Sequence, residues 1–92
     1  MSPRFAILGI DHRHVYGMAG HLIEAGASCA GWWTEGSPAT LDGFHKRFPD
    51  LPRAARWQDL VEDPSVDLVV IAAIPRDRAR LAIAAMDAGR DV

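Results

Sequence analysis

The feature of this 92-residue sequence that most limits its fold is an alternation of two patterns. Short, almost unbroken apolar runs take turns with segments whose apolar residues recur at helical spacing. Arg4 to Ile10 (RFAILGI) is the first such run, ending in glycine and polar residues, as a parallel strand buried on both faces does. From Val15 the period changes, and Val15, Met18, Ala19, Leu22 and Ile23 follow the i, i+3, i+4, i+7, i+8 spacing of one helical face, with Gly26 as the left-handed stop.

The alternation continues along the chain. Ser28 to Trp33 reads as a second strand, and Ser37-Pro38 as an N-cap followed by proline in the first helical position. Leu41, Phe44 and Phe48 supply the apolar face of that helix, which Pro49 and Pro52 end. Arg53 to Arg56 is expected to form a brief strand and Trp57 to Glu62 one or two helical turns. Leu68 to Ala73 (LVVIAA), introduced by the turn Asp63-Pro64-Ser65, is the clearest strand and belongs in mid-sheet. Pro75 opens a last helix whose buried stripe is expected to be Ala79, Ala82, Ile83 and Met86, closed by Gly89, and Arg90-Asp91-Val92 would begin another strand.

Strands alternating with helices through short connections imply parallel pairing and right-handed crossovers. The expected fold class is α/β, a doubly wound parallel sheet with helices on both faces (Rossmann-like), incomplete at its C-terminal end. Ligands of such sheets bind beyond the carboxyl ends of the strands, where the strand order reverses. That rule selects Gly9 to His14, Thr34 to Gly36, and Ala73 to Asp77.

Gly9-Ile10-Asp11-His12-Arg13-His14 stands where a dinucleotide-binding chain carries G-x-G-x-x-G, with Asp11 and His14 in place of the second and third glycines. Asp11 is expected to cap the helix by accepting from the backbone N–H of Arg13 or His14. His12, Arg13 and the helix N-terminus favour an anion. At the end of the second strand, where an acidic residue usually meets the ribose hydroxyls, stands Thr34, followed by Glu35; a phosphorylated ribose calls for an arginine that this loop lacks. Trp32 and Trp33 read as packing aromatics.

The most specific run is Asp63-Pro64-Ser65-Val66-Asp67-Leu68-Val69-Val70-Ile71-Ala72-Ala73-Ile74-Pro75, followed by a helix and Ala88-Gly89-Arg90-Asp91-Val92. It resembles D-P-x-V-D-x-V-x-I-A-T-P, then helix, then A-G-K-x-V, the pattern of the Gfo/Idh/MocA oxidoreductases, and the opening strand, loop and helix agree. Ile74 stands where that pattern has Thr, and Arg76 and Ala79 where it often has Asn and His. The resemblance implies residues 1–92 are the N-terminal part of a dinucleotide-binding domain, with the substrate domain outside this chain. It implies NAD or NADP as cofactor and a sugar, cyclitol or related small molecule as substrate. Gly9, Ile10, Asp11, His12, Arg13 and His14 would then contact the pyrophosphate, Thr34 and Glu35 the adenosine ribose, and Ala73, Ile74 and Pro75 the nicotinamide side. The family's catalytic lysine lies in an E-K-P motif just after the last segment, so no catalytic residue falls within these positions, and these residues alone are expected to be inactive.

Two other functions fit parts of the sequence. His12 and His14 at a strand end would suit a Zn²⁺ ion of a metal-dependent hydrolase. A doubly wound sheet also serves non-catalytic nucleotide sensors. The composition, 49% hydrophobic and 24% charged, is that of a globular chain rather than a disordered one. A net charge of −2 gives nucleic acid or an anionic membrane nothing to bind. No apolar run approaches the ~20 residues of a membrane helix. The lone Cys29 reads as a buried inert thiol, and a cytoplasmic location is expected. Any homo-oligomer would form through the second domain.

Overall fold

The computed structural model describes residues 3–92. In chain order the elements are β1 (Arg4–Leu8), α1 (His14–Glu24), β2 (Ser28–Trp33), α2 (Leu41–Arg47), α3 (Trp57–Val61), β3 (Leu68–Ile71) and α4 (Pro75–Asp87). The three strands form a parallel sheet in the order β2-β1-β3. Single parallel bridges extend it at both edges, Trp32 to Arg53 beyond β2 and Leu68 to Asp91 beyond β3. The chain thus winds outward from β1 in one direction and then in the other, which is the doubly wound arrangement expected.

The unbroken apolar character of β1 follows from its central place. Phe5 and Ile7 join one cluster with Val15, Ala19, Trp32 and Phe44, under α1 and α2. Ala6 and Leu8 join the other with Leu60, Val61, Val69, Leu81 and Ala85, under α3 and α4. Successive strand residues point to opposite faces, so both sets must be apolar. The Asp63-Pro64-Ser65 turn closes as read: the Ser65 N–H and hydroxyl both donate to Asp63 Oδ1, at 2.9 and 2.8 Å. These bonds hold the Asp63 carboxyl below its ordinary range. Asp67 then sets the β1–β3 register, its carboxylate accepting from the Arg4 N–H at 3.0 Å while its own N–H donates to the Arg4 carbonyl at 2.8 Å.

Several boundaries and faces differ from expectation. Helix α2 begins at Leu41, because Pro38 to Leu41 forms a separate turn in which the Leu41 N–H donates to the Pro38 carbonyl at 3.0 Å. The strand expected over Arg53 to Arg56 is reduced to the Arg53 bridge, since Pro52 has no N–H and α3 starts at Trp57. β3 ends at Ile71, two residues early.

On α4 the buried residues are Leu81 and Ala85, whereas Ala79, Ile83 and Met86 are exposed and Ala82 half-buried. An alanine-rich helix has two plausible faces, and the choice is made at its start. The Arg78 Nε donates to the Ala73 carbonyl at 2.8 Å, turning the face that carries Arg78, Leu81 and Ala85 toward the sheet. On α1, Val15 and Ala19 are buried as expected, but Met18 and Ile23 are exposed and Tyr16 packs in part against the core. Gly26 and Gly89 end their helices with positive φ, as read. Among the described residues no helix is long and apolar enough to cross a membrane.

Candidate functional site

Strand order reverses at β1, so the crevice beyond the carboxyl ends of β1 and β3 is where such a sheet receives a ligand. The loop from Gly9 to His14 is held there mainly by backbone. The Gly9 N–H donates to the Trp33 carbonyl at 2.6 Å and the His12 N–H to the Ala72 carbonyl at 3.0 Å, tying the loop to both neighbouring strands. Gly9 lies at φ +83°, and a Cβ there would stand 2.6 Å from the Ala73 Cβ. Ile10 is fully buried, so only its backbone is available to a ligand.

The Ile10 carbonyl is taken by the hydroxyl of Thr40, a buried residue next to α2, and the Thr40 carbonyl accepts from the Tyr16 hydroxyl at 2.8 Å. Thr40 and Tyr16 therefore brace the loop from outside it. No spacing rule connects residues 30 positions apart, and the sequence held no sign of this contact. Thr40→Val removes the donor and leaves the buried Ile10 carbonyl without a partner, an expected loss of about 1–2 kcal/mol in a urea titration.

Asp11 does not cap α1. The N-cap position is Arg13, already in helical conformation and without a side-chain cap bond, and the His14 N–H donates to His12 Nδ1 at 3.3 Å instead. The helix thus starts too late for Asp11 to reach its first free N–H groups. Burial holds the Asp11 carboxyl above its ordinary range, and the charges of Asp77 and Glu35 push it the same way. Those three acids follow three different strands, so the strand-end loops converge as the fold requires.

The His12 and His14 rings lie 4.2 Å apart between centroids, tilted by 52°. With Nδ1 accepting, a neutral His12 carries its proton on Nε2. Among the described residues no group of three or more His, Cys, Asp or Glu side chains is placed to hold a metal ion. His12 and His14 line a cavity of about 200 Å³ with Met18, Ile71, Ala72 and Arg78. A second of about 110 Å³ adjoins it, lined by Asp11, His12, Ala73, Ile74, Pro75 and Arg78. Ala73 is buried, while Ile74 presents an exposed apolar side chain at the rim and Pro75 opens α4.

At the exit of β2, Thr34 is 4% exposed and its Oγ1 has no partner among the described residues. Glu35 is exposed. Trp32 packs in the core, 4.7 Å from Phe44 between ring centroids, and Trp33 packs against the opposite cluster, so both tryptophans are packing residues as read. Half-burial pushes the Cys29 thiol up, which keeps it protonated and unreactive.

The loop itself holds no arginine, as read, but one reaches it in space. Arg53 Nη2 donates to the Gly36 carbonyl at 3.1 Å and lies 3.5 Å from the Thr34 carbonyl, with the guanidinium carbon 5.3 Å from the centre of the Trp32 ring. It arrives from the edge bridge, 17 residues beyond Gly36 in sequence.

No protein-family model matches the chain, and no curated protein sequence does. Solved structures do match. A protein of Erwinia carotovora atroseptica classed as an oxidoreductase superposes with TM-score 0.91 at 43% identity, over 98% of this chain and 27% of its own. The biliverdin reductase of a Synechocystis species, crystallised with biliverdin and NADP⁺, does so with TM-score 0.74 at 28% identity, over 95% of this chain and 27% of its own. A Klebsiella pneumoniae protein, also classed as an oxidoreductase, gives TM-score 0.75 at 26% identity, over 97% of this chain and 25% of its own. The chain spans about a quarter of the length of these structures. Its doubly wound fold is thus one that oxidoreductases use, and the similarity runs through nearly the whole chain.

Proposed function

We propose that this chain is the nucleotide-binding portion of an NAD(P)-dependent oxidoreductase of the Gfo/Idh/MocA type, the N-terminal part of a dinucleotide-binding domain, acting in the cytoplasm on a sugar, cyclitol or related small molecule. The observation that carries the reading is the Gly9 to His14 loop. It lies in the crevice where the strand order reverses, fixed between Trp33 and Ala72 and opening directly into the eleven-residue helix α1. The similarity to a reductase solved with NADP⁺ agrees with it.

The residues present fit a dinucleotide. The unpartnered Thr34 hydroxyl stands at the strand end where a ribose is met, beside Glu35. The backbone N–H groups of Ile10, Asp11 and Arg13, which donate to no acceptor among the described residues, would take the pyrophosphate, with His12, Arg13 and His14 at its edge and the positive end of the α1 dipole behind it. Ala73, Ile74 and Pro75 would border the nicotinamide, the apolar Ile74 helping to keep water from it. When bound, the cofactor supplies hydride transfer. This chain's own residues bind and orient it.

Asp11 opposes the pyrophosphate at neutral pH, because an ionised carboxylate repels it. An anion beside Asp11 binds best when that carboxyl is neutral, so affinity rises as the pH falls through its raised pKa. Asp11→Asn is expected to tighten NAD(P)⁺ binding to the full-length protein about fivefold at pH ~7.5, from about 1 kcal/mol of relieved repulsion. The gap between the two proteins should close as the pH falls and the Asp11 carboxyl is neutralised. Calorimetric titration checks both, and a protein that binds neither NAD(H) nor NADP(H) would refute the proposal.

A further inference from the structure

We infer that Arg53 selects the 2′-phosphorylated cofactor, making this a site for NADP(H) rather than NAD(H). The inference rests on the dinucleotide reading above and goes beyond it by naming the cofactor form and the residue that decides it. The choice between the two forms is made at the exit of the second strand, where an acid accepts from the free ribose hydroxyls and a guanidinium receives the phosphate. In this chain the strand-end residue is the uncharged Thr34.

Arg53 is built into that exit. One nitrogen of its guanidinium is anchored on the Gly36 carbonyl and lies near that of Thr34, and the Trp32 ring lies beside the group. A guanidinium carries five N–H donors, and these contacts use one nitrogen only. Among the described residues no carboxylate lies within ion-pair distance of Arg53, whose residue is exposed. An arginine held in place yet without a counter-anion is suited to a dianionic phosphate, which its remaining donors can meet in the bidentate geometry that lysine lacks.

The Thr34 Oγ1 is an independent sign that this exit receives a ligand. It is a buried hydroxyl without a partner among the described residues, at the same strand end, and so has hydrogen-bonding capacity that the protein leaves unused. Glu35 is the residue that works against a phosphate. It is exposed and forms no ion pair or side-chain hydrogen bond among the described residues, so nothing holds it against the site. Arg53, by contrast, is held.

The test is competition by two cofactor fragments, 2′,5′-ADP and 5′-AMP, against NADPH fluorescence in the full-length protein. The unaltered protein should bind 2′,5′-ADP at least about tenfold more tightly than 5′-AMP, the effect of one charge-assisted contact. Arg53→Ala should remove that margin and leave 5′-AMP affinity unchanged, and Arg53→Lys should restore part of it. Equal or tighter binding of 5′-AMP by the unaltered protein would overturn the inference without any variant. So would an Arg53→Ala protein that loses affinity for both fragments equally, which would mark Arg53 as merely holding the loop. A protein that binds NADH but not NADPH would refute this inference and leave the dinucleotide reading standing. Failure to bind either nucleotide would refute both.

Discussion

Gly9→Ala is expected to lower stability by about 3 kcal/mol or more, enough to unfold much of the protein at ambient temperature. Two penalties act at the same atom. A left-handed backbone costs a residue with a Cβ about 1–2 kcal/mol, and Gly9 sits at φ +83°. The added methyl would also press on Ala73, with its Cβ at 2.6 Å, its Cα at 2.7 Å and its N at 2.9 Å. Backbone cannot swing aside as the end of a long side chain can, and overpacking of this kind typically costs about 1–3 kcal/mol. A urea titration followed by circular dichroism reads the loss. A fall below about 1 kcal/mol would show that the β1 and β3 exits part easily, contrary to the close approach described. The paired variant Gly17→Ala has open space for its methyl and an ordinary helical backbone, so it should stabilise by roughly 0.5–1 kcal/mol.

Trp32→Ala is the second large effect expected, a loss of about 3–5 kcal/mol from deleting a buried indole. Trp32 is 1% exposed and makes its contacts in three directions: Phe44 at 4.7 Å and His45 at 5.3 Å between ring centroids, and the Leu51 carbonyl, which accepts from its Nε1 at 3.1 Å. The residue also faces Arg53, so its removal should weaken 2′,5′-ADP binding beyond the change in stability. Trp32→Phe keeps much of the volume but leaves the Leu51 carbonyl without its donor. Its expected cost is about 1–2 kcal/mol, with the preference for 2′,5′-ADP retained. Thermal unfolding with and without that ligand separates the two roles.

The strands were legible because a strand covered on both faces must be apolar at every position, and β1, β2 and β3 are nearly so. Glycine stops at Gly26 and Gly89 and the proline start at Pro75 were legible for similarly local reasons. The buried side of α4 was not, since an alanine-rich helix offers apolar residues on more than one side and the Arg78 anchor that chooses between them is a tertiary contact. Asp11 looked like a cap because its residue type and position suited one, but helix α1 starts two residues too far on. The location of the crevice followed from strand alternation alone. Its furnishings did not: Arg53 and Thr40 reach it from segments that sequence spacing cannot relate to it. Of the Asp63 to Pro75 run, the most specific in sequence, the first five residues are explained by turn closure and strand register, and only the end, from Ile71 to Pro75, lines the crevice.

The way the Gly9 to His14 loop is fastened has an evolutionary consequence. Its ties to the neighbouring strands run between N–H and carbonyl groups that every non-proline residue possesses, and among the described residues neither Asp11 nor Arg13 nor His14 contributes a side-chain hydrogen bond to them. Selection can exchange those side chains while the scaffold keeps its shape. Departure from the glycine pattern at Asp11 and His14 is therefore compatible with an unchanged path of the chain, and such a loop can drift in the ligand charge it favours long before it drifts in fold.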